Sequence, residues 1–444
     1  MSKYDPGVNI SSTMHPFVIP RISGIVHNAH LTLPGSKSIA LRQLAMAALA
    51  RGTSAIAGVP DCDDADAMLE CIAALGADVS KDGDRILVTG PIDLHKDISL
   101  NARMSGASTR LLIGIAALRS GRTTLDGHSS LRVRTNAPLY DVLREQGCQV
   151  ESASGGLPVT ISGPLRPKPV MQIDASLSSQ YVTALLLCAP YCATNTEDGA
   201  EKQLIHITGD LVSRPYIDIT LNEMKKRGVH SQWINAQTLE VERGAYQAGE
   251  IQIEGDATAA TYFAALATLH GGSLTLDNLG DSTVQGDYQF FTVMEQLGAD
   301  VVRNRNQTHI TGPTTLSAID SIDMTTMPDA ALTLIAMAPL LPAALTISGL
   351  SSLHHKECDR LECPATEFAD MGIKAQTTDE SIRVEPLGEQ AMRPHTLRTY
   401  HDHRMAMAFS LLGSVSGTLA VDNKNVVAKT YPHYWSDYAT VAGL

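Results

Sequence analysis

No uninterrupted apolar run in this 444-residue chain approaches the roughly 18 residues that a membrane-spanning helix needs. The N-terminus lacks a basic segment followed by an apolar one, so no secretory leader is expected and the chain is read as cytoplasmic. Cysteine is sparse. The seven residues, Cys62, Cys71, Cys148, Cys188, Cys192, Cys358 and Cys363, are odd in number and contain no CxxC. That argues against a disulfide framework or a zinc ribbon, and most should be small buried hydrophobes. The cluster "HHKEC" at 354–358 matches no common ligand spacing, so no metal is expected.

Positive charge is also in short supply. Against 34 Lys and Arg stand 47 Asp and Glu, a formal net charge of −13. That balance excludes broad nucleic-acid binding, which needs a basic surface. Cations that do cluster in such a chain must be focused on a local site. The nucleotide signatures are missing too. "LPGSKSIALR" (33–42) looks like a phosphate loop, but a P-loop needs GxxxxGK[ST] and only Gly35 precedes Lys37 here. No GxGxxG is present.

What is there is a repeat. An amphipathic helix, a glycine and a strand recur as "AMLECIAALGADV", "LYDVLREQGCQV", "ITLNEMKKRGV", "FFTVMEQLGADV" and "ATEFADMGIKA", and the chain ends on "WSDYATVAGL". The glycines are Gly76, Gly147, Gly228, Gly298, Gly372 and Gly443, spaced 71, 81, 70, 74 and 71 residues apart. Each should lie just past a helix C-terminus in left-handed backbone. Between them each unit reads strand, small-residue helix, strand, amphipathic helix, strands. That alternation predicts an α/β protein with βαβ crossovers. Six units suggest two domains of three. The sixth runs out of chain after Gly443, and "PFVIPRIS" and "AHLTLPG" near the N-terminus are expected to complete it. Both termini would then share one domain, with crossings near "TLPGSK" (33–37) and "QIEGDA" (252–256). The expected division is a flexible extension at 1–15, one domain from 16–33 plus 254–444, and an inserted domain at 34–253.

The small-residue helices open with "GSKS", "SGAST", "SLSSQ", "GDATAA", "MPDAAL" and "YHDHRMA". Ser, Thr or Asp stands at a plausible N-cap in each. The helix body beyond each start is apolar nearly all round, as in "YVTALLLCA" and "MAMAFSLLG", so these helices should be buried. A buried helix with a polar start points free N–H groups and about half a positive charge forward. Six aimed at one cleft would trap anions, although any single start is equally an ordinary cap. Basic residues accompany them: Lys37, Arg42, Arg110, Arg132, Arg134, Lys356, Arg360, Arg404 and Lys429. Arg404, next to a buried-looking run, needs an anionic partner. Asp329 and Glu357 are acid–base candidates among these cations, with Asp329 also suited to simple capping.

Together these segments resemble the enolpyruvyl transferases, most closely the branch acting on shikimate 3-phosphate. "LPGSKS", "SSQYVTALLL", "SRPYIDITL", "MPDAALT", "KECDRL", "TYHDHRMAMAFSL" and "KTYP" occur in the family's order over nearly all the chain after residue 30. The resemblance implies a two-domain, inside-out α/β barrel-like fold, each domain three βαβαββ repeats around buried parallel helices. It implies enolpyruvyl transfer from phosphoenolpyruvate to the 5-hydroxyl of shikimate 3-phosphate, releasing phosphate, in chorismate and aromatic amino acid biosynthesis, with no metal or cofactor. Ser178, Ser179 and Ser213 would bind the shikimate phosphate, and Ser38, Arg42, Tyr216, Asp329 and Lys356 the ring. Lys37, Gly106, Arg134, Gln180, Arg360, Arg404 and Lys429 would hold phosphoenolpyruvate. Asp329 would be the base and Glu357, assisted by Lys37, the donor to the methylene carbon, with His403 beside it. Both substrates are small anions, and a monomer with no nucleic-acid or membrane partner is expected. Two domains closing over mutually repelling anions also predict an open cleft without them.

The family's "NAGTAMR" is "MSGASTR" here, with Met104 for asparagine and Ala107 for threonine. Its "KSxSNR" is "KSIALR", and Ser352 replaces an asparagine. These changes bear on affinity and glyphosate sensitivity. Two other readings are weighed. A branch using UDP-N-acetylglucosamine usually has a reactive cysteine in the loop that reads "DGHSSLRVRTNAP" here, which has none. A non-catalytic phosphometabolite-binding paralogue would be favoured by loss of Asp329, Glu357 or Lys37, and all three are present.

Overall fold

The computed structural model describes residues 15–25, 28–192, 194–195, 201–388 and 390–444. Of the expected N-terminal extension, residues 1–14 lie outside the described residues. Six helices form the interior: α1 (Lys37–Leu49), α2 (Gly106–Ala117), α3 (Ser179–Cys192), α4 (Ala257–His270), α5 (Pro328–Met337) and α6 (His403–Ser416). Alanine, leucine and methionine on all sides leave no polar stripe to face water. In α1 every residue from Ile39 to Leu49 is buried, and in α4 every residue from Ala257 to Thr268.

An amphipathic helix comes after each of these in the chain: Asp63–Ala74, Ala137–Glu145, Pro215–Lys226, Phe290–Gln296, Glu362–Met371 and Tyr434–Ala442. Every one ends at a repeat glycine with positive φ, from 70° at Gly443 to 104° at Gly298. Glycine takes this left-handed conformation without the steric cost of a Cβ, which ends the helix and turns the chain into the next strand.

The unit built on α2 shows the sheet pattern. Strand Ile98–Asn101 runs parallel to Thr123–Asp126, and the hairpin Gln149–Glu151 with Val159–Ser162 adds its second strand antiparallel to Thr123–Asp126. The α3 and α5 units repeat this strand order. In the α1 and α4 units the first strands are exchanged. Ala29–Leu31 leads into α1 but pairs with Ser273–Leu276 of the α4 unit. Glu250–Gln252 leads into α4 but pairs with Gly52–Ala57 of the α1 unit. The chain therefore passes twice between units at adjacent places. Gly35 and Gly255 form an antiparallel bridge, Ser36 N donates to Glu254 O (2.8 Å), and Asp256 N donates to Pro34 O (2.9 Å).

The sixth unit differs from the sequence expectation. Among the described N-terminal residues, the strand that joins it is Phe17–Val18, antiparallel to Leu419–Val421. Ala29–Leu31 opens the fourth unit instead, because Asn278 holds the adjoining segment there. Its Oδ1 accepts from Leu33 N (3.0 Å) and its Nδ2 donates to Leu33 O (2.8 Å). Buried apolar side chains form two clusters, one from 19–33 and 257–441, the other from 39–253. Among the described residues no helix is long and apolar enough to cross a membrane. Five of the seven cysteines are buried and all are free.

The crossing is sterically tight. A Cβ at Gly35 would lie 1.8 Å from Gly58 O, a backbone atom that cannot swing away. Gly35→Ala is expected to lower stability by at least about 2 kcal/mol, read as a fall in the denaturant midpoint. An unchanged midpoint would contradict this packing.

Candidate active site

The starts of α1 (Lys37, Ser38), α2 (Gly106, Ala107, Arg110), α3 (Ser179, Gln180, Tyr181), α5 (Asp329) and α6 (His403, Arg404) line one cavity of about 450 Å³. Sequence at the other end of each helix is apolar and buried, so it is the polar start that reaches the gap. The cavity wall carries six cations, Lys37, Arg110, Arg134, Lys356, Arg360 and Arg404, and three carboxylates, Asp64, Asp329 and Glu357. That is an excess of three positive charges on the wall of a chain whose formal net charge is −13. Such focusing draws small anions into the gap.

The six helix starts are not equivalent anion traps, contrary to the sequence reading. Asp256 at the head of α4 serves two helices: its Oδ1 accepts from Ala259 N (3.0 Å) and its Oδ2 from Lys37 N of α1 (3.1 Å). Asp402 Oδ1 accepts from Arg404 N at the head of α6 (2.9 Å). Those starts already hold a carboxylate. The start of α4 lies behind the main cavity, where Thr258 and Ala259 meet Lys37 and Arg404 around a void of about 20 Å³. Asp329 is not an N-cap either. Met327 occupies that position, and Asp329 sits in the first turn with its oxygens directed at side chains.

Those side chains are mostly cations. Asp329 Oδ1 lies 3.1 Å from Lys356 Nζ and 3.0 Å from Arg360 Nη1, and its Oδ2 lies 3.5 Å from Arg404 Nη2. Tyr216 Oη donates to Oδ2 at 2.9 Å. Burial opposes ionisation of Asp329, but Lys356, Arg404 and Arg360 outweigh it and hold the carboxyl well below its ordinary range. Glu357 is treated alike. Lys429 Nζ donates to its Oε1 (2.6 Å) and Arg360 Nη2 to its Oε2 (2.8 Å), with Arg134 Nη2 at 3.9 Å. Burial again opposes, and Lys429, Arg360 and Arg134 keep the carboxyl ionised.

Tyr216 and Arg134 belong to the 39–253 half, and Asp329 and Glu357 to the other. The two halves therefore touch across the gap, and the open cleft expected from the sequence is not what the structure shows. The physical reason lies in the carboxylates. They supply countercharge to cations of the facing half, so those cations do not drive the walls apart.

Sequence reasoning passed over two acids. Asp64, 2% exposed, lies 3.0 Å from Lys37 Nζ, so Lys37 is paired with it rather than with Glu357. Burial would depress the Lys37 ammonium, but Asp64 more than reverses this and its affinity for the proton is raised. The available signal was the acid run in "DCDDADAM", which reads equally as first-turn helix acids. Asp402 was seen only as a cap, yet it also binds Arg360 Nε at 2.7 Å.

The chain region 24–438 matches the model of a family described as EPSP synthase (3-phosphoshikimate 1-carboxyvinyltransferase). The chain belongs to the EPSP synthase family. A Klebsiella pneumoniae (strain 342) relative named 3-phosphoshikimate 1-carboxyvinyltransferase is 35% identical over 443 residues, 98% of this chain and 99% of that one. One of the same name from Shewanella amazonensis (strain ATCC BAA-1098 / SB2B) is 34% identical over 435 residues, 96% and 97% of the two chains. The solved EPSP synthase of Acinetobacter baumannii shares the fold, with a TM-score of 0.77 at 22% identity, covering 97% of this chain and 98% of that one.

Most residues singled out by the EPSP synthase resemblance stand on the cavity wall: Lys37, Ser38, Gly106, Arg134, Ser178, Ser179, Gln180, Ser213, Tyr216, Asp329, Lys356, Glu357, Arg360, His403 and Arg404. Ser213 has φ 54°, a left-handed conformation that costs energy for a serine and often marks a functional loop. Gly106 leaves room for two guanidiniums: a Cβ there would come within 3.0 Å of Arg110 Nη1 and 3.2 Å of Arg134 Nη1. Lys429 is one step back, behind Glu357. Arg42 is not on the wall. It is 4% exposed and braces the wall from behind, donating to Ser38 O (2.7 Å), Tyr216 O (3.0 Å) and Thr220 Oγ1 (2.8 Å). Arg132 faces away, paired with Asp126 at 2.6 Å. Of the departures from the family pattern, Ala107 and Ser352 are on the wall.

His403 is 1% exposed and neither ring nitrogen makes a hydrogen bond, although Nδ1 lies 3.4 Å from Asp402 Oδ1. Burial, with Lys429 and Arg404 close by, drives its proton affinity well below the ordinary 6.5. The unfolded chain therefore takes up this proton first as pH falls. His403 should contribute a drop in stability between about pH 7 and pH 5, opposed in the same window by Asp287, whose carboxyl burial raises to about 7. His403→Gln is expected to make that drop shallower in denaturant unfolding measured at each pH. The slope that remains is set by His270, depressed to about 4 by burial, against the opposite contributions of Asp287 and His354, both raised. An identical slope in the variant would contradict a neutral buried His403.

Proposed function

We propose that this chain transfers the enolpyruvyl group of phosphoenolpyruvate to the 5-hydroxyl of shikimate 3-phosphate and releases phosphate. The observation that carries the reading is the cavity's excess of positive charge around an ionised, partly buried Asp329. Two phosphorylated reactants repel each other in water. A cationic wall offsets that repulsion and holds them in attacking geometry.

In this reading Ser178, Ser179 and Ser213 hold the shikimate phosphate, and Ser38, Tyr216 and Lys356 orient the ring, with Arg42 stiffening Ser38 and Tyr216 from behind. Lys37, Arg134, Gln180, Arg360, Arg404 and Lys429 take the phosphoenolpyruvate anion, with Gly106 giving it clearance. Asp329 accepts the proton of the 5-hydroxyl as its oxygen bonds to C2 of phosphoenolpyruvate. C3 takes up a proton and becomes a methyl group. In the resulting tetrahedral adduct the C2–O bond to phosphate then breaks, C3 loses a proton, and the vinyl ether remains.

Glu357 is the donor to C3. Its carboxyl is held ionised by Lys429, Arg360 and Arg134. Phosphoenolpyruvate drawing on those same cations weakens their hold and lets Glu357 take the proton it must deliver. His403 lies beside that carbon as a neutral imidazole. Residues 16–33 plus 254–444 and residues 34–253 act as two domains hinged at the crossings, a division supported by the two hydrophobic clusters. The wall is lined by residues of one chain, which supports a monomer.

Phosphate release with phosphoenolpyruvate and each acceptor tests the reaction. Release is expected with shikimate 3-phosphate; release with UDP-N-acetylglucosamine alone would overturn the assignment. Asp329→Ala should retain shikimate 3-phosphate binding and lose about 10²- to 10⁴-fold in turnover. Near-normal turnover would remove Asp329 from the role of base.

A further inference from the structure

The short helical turn Ser351–His355 and the residues after it bring Ser352, His354, His355, Lys356, Glu357 and Arg360 to the cavity. The proposed reaction gives His354 no role, yet its ring is placed with care. Nδ1 lies 2.7 Å from Asp359 Oδ2, and Nε2 lies 3.2 Å from Asp379 O. A backbone carbonyl oxygen can only accept. So can the Asp359 carboxylate, whose Oδ1 accepts from Leu361 N and Glu362 N, both at 3.0 Å. Burial opposes its charge, but His354 and those two amides hold the carboxyl below its ordinary range.

A neutral imidazole has one N–H and one lone pair. It could serve one of these partners and would turn the lone pair on the other. Only the imidazolium donates to both. The bond to Asp359 in turn raises the proton affinity of His354 above its ordinary value.

These bonds join three pieces of chain. Asp359 leads into the helix Glu362–Met371, and Asp379 stands at the tip of the hairpin formed by Ala375–Thr377 and Ile382–Val384. Leu350 N donates to Glu380 O (3.0 Å) at the same tip, and Arg360 N donates back to Leu353 O (3.2 Å). Glu362 Oε1 accepts from Thr377 Oγ1 (2.6 Å), so helix start and hairpin are also tied to each other. The charged residues gathered around the ring are therefore acids, Asp359 and Glu362 on the helix side and Asp379 and Glu380 at the tip. On its own loop stand His355 and Lys356, with Lys356 Nζ turned to Asp329 Oδ1 at 3.1 Å.

We infer that protonated His354 is a positioning residue: it pins the cavity loop to the hairpin tip, holds Lys356 against Asp329, and releases the loop when its second ring proton is lost. On that loss the remaining N–H stays with charged Asp359, the stronger acceptor, and a lone pair faces Asp379 O. The loop then loses one of its ties to the tip, and Lys356, two residues on, is freed to move relative to Asp329. The folded chain holds this proton more tightly than the unfolded one. The tie is thus intact below about pH 6.5 and is lost as pH rises through the higher folded value. The effect on turnover rests on the proposed roles of Lys356 and Asp329; the ionisation of His354 does not.

The test follows the histidine rings of the full-length protein by nitrogen-15 NMR and its turnover as a function of pH. His354→Gln identifies the ring signals by their loss. Their midpoint is expected above about pH 6.5, and Asp359→Asn, which can still cap the helix start, should lower it by about one pH unit or more. Backbone amide signals of residues 351–357 should shift with the same midpoint. The alkaline fall in kcat/KM for shikimate 3-phosphate should follow it, move down with it in Asp359→Asn, and lessen in His354→Arg, whose N–H donors keep their charge. His354→Gln should lower kcat/KM about tenfold at pH 7, chiefly through KM for shikimate 3-phosphate. A midpoint at or below about 6.5 overturns the imidazolium. Loop amides that do not respond to the midpoint overturn the release of the loop, whatever the turnover. An alkaline limb identical in the wild type, Asp359→Asn and His354→Arg overturns the positioning role. Absence of transfer at every pH refutes the proposed reaction instead, and the two NMR readouts then decide the role of His354 alone.

Discussion

Arg360 is 1% exposed and its guanidinium is shared among three carboxylates. Nε and Nη2 reach Asp402 at 2.7 and 3.1 Å, Nη1 reaches Asp329 at 3.0 Å, and Nη2 reaches Glu357 at 2.8 Å. A buried cation survives only with such partners, because its desolvation costs several kcal/mol. Each partner in turn anchors something else. Asp402 caps α6, Asp329 collects Lys356 and Arg404, and Glu357 collects Lys429. One guanidinium thus fixes the relative positions of two helix starts, the 351–360 loop and the segment ending at Lys429.

The repeat makes that arrangement available. Six buried helices each need a polar start, and the units set five of those starts around one cavity. The exchanged first strands and the shared carboxylate of Asp256 tie the two halves at the crossings, where Gly35 and Gly255 let the backbones meet. The cavity is then a charged gap between two well-packed bodies. Its cations are balanced closely enough to stay buried, yet leave a surplus for anionic reactants. The acids are part of the cationic wall: they hold the cations in place, and two of them are the groups proposed to move protons.

Much of this was legible in the chain. The six glycines located the helix ends because a positive φ is a backbone demand that only glycine meets cheaply. The apolar helices were readable because burial on all faces removes every polar residue. The cationic residues stood out against the acidic background. What pattern could not give was pairing. Asp64 looks like any first-turn acid until the fold sets it against Lys37. Asp329 looks like a cap until the loop carrying Lys356 and Arg360 is folded over it. Arg42 belongs to the same motif as Lys37 and Ser38, but its position one turn deeper on α1 sets it behind the wall, where it donates to Ser38, Tyr216 and Thr220. The strand Ala29–Leu31 was assigned to the wrong unit because periodicity shows that a strand exists, while its neighbour is decided by Asn278, far away in sequence.

A double-mutant cycle between Arg360 and Asp402 tests the central arrangement most directly. Stability in denaturant would be measured for the wild type, Arg360→Gln, Asp402→Asn and the double variant. If Arg360 stays buried because of its carboxylates, each single change strands a buried charge, and the double change should cost less than the two singles together by at least about 1 kcal/mol. Strict additivity would contradict the account, for it would mean that Arg360 and Asp402 do not sense each other's charge.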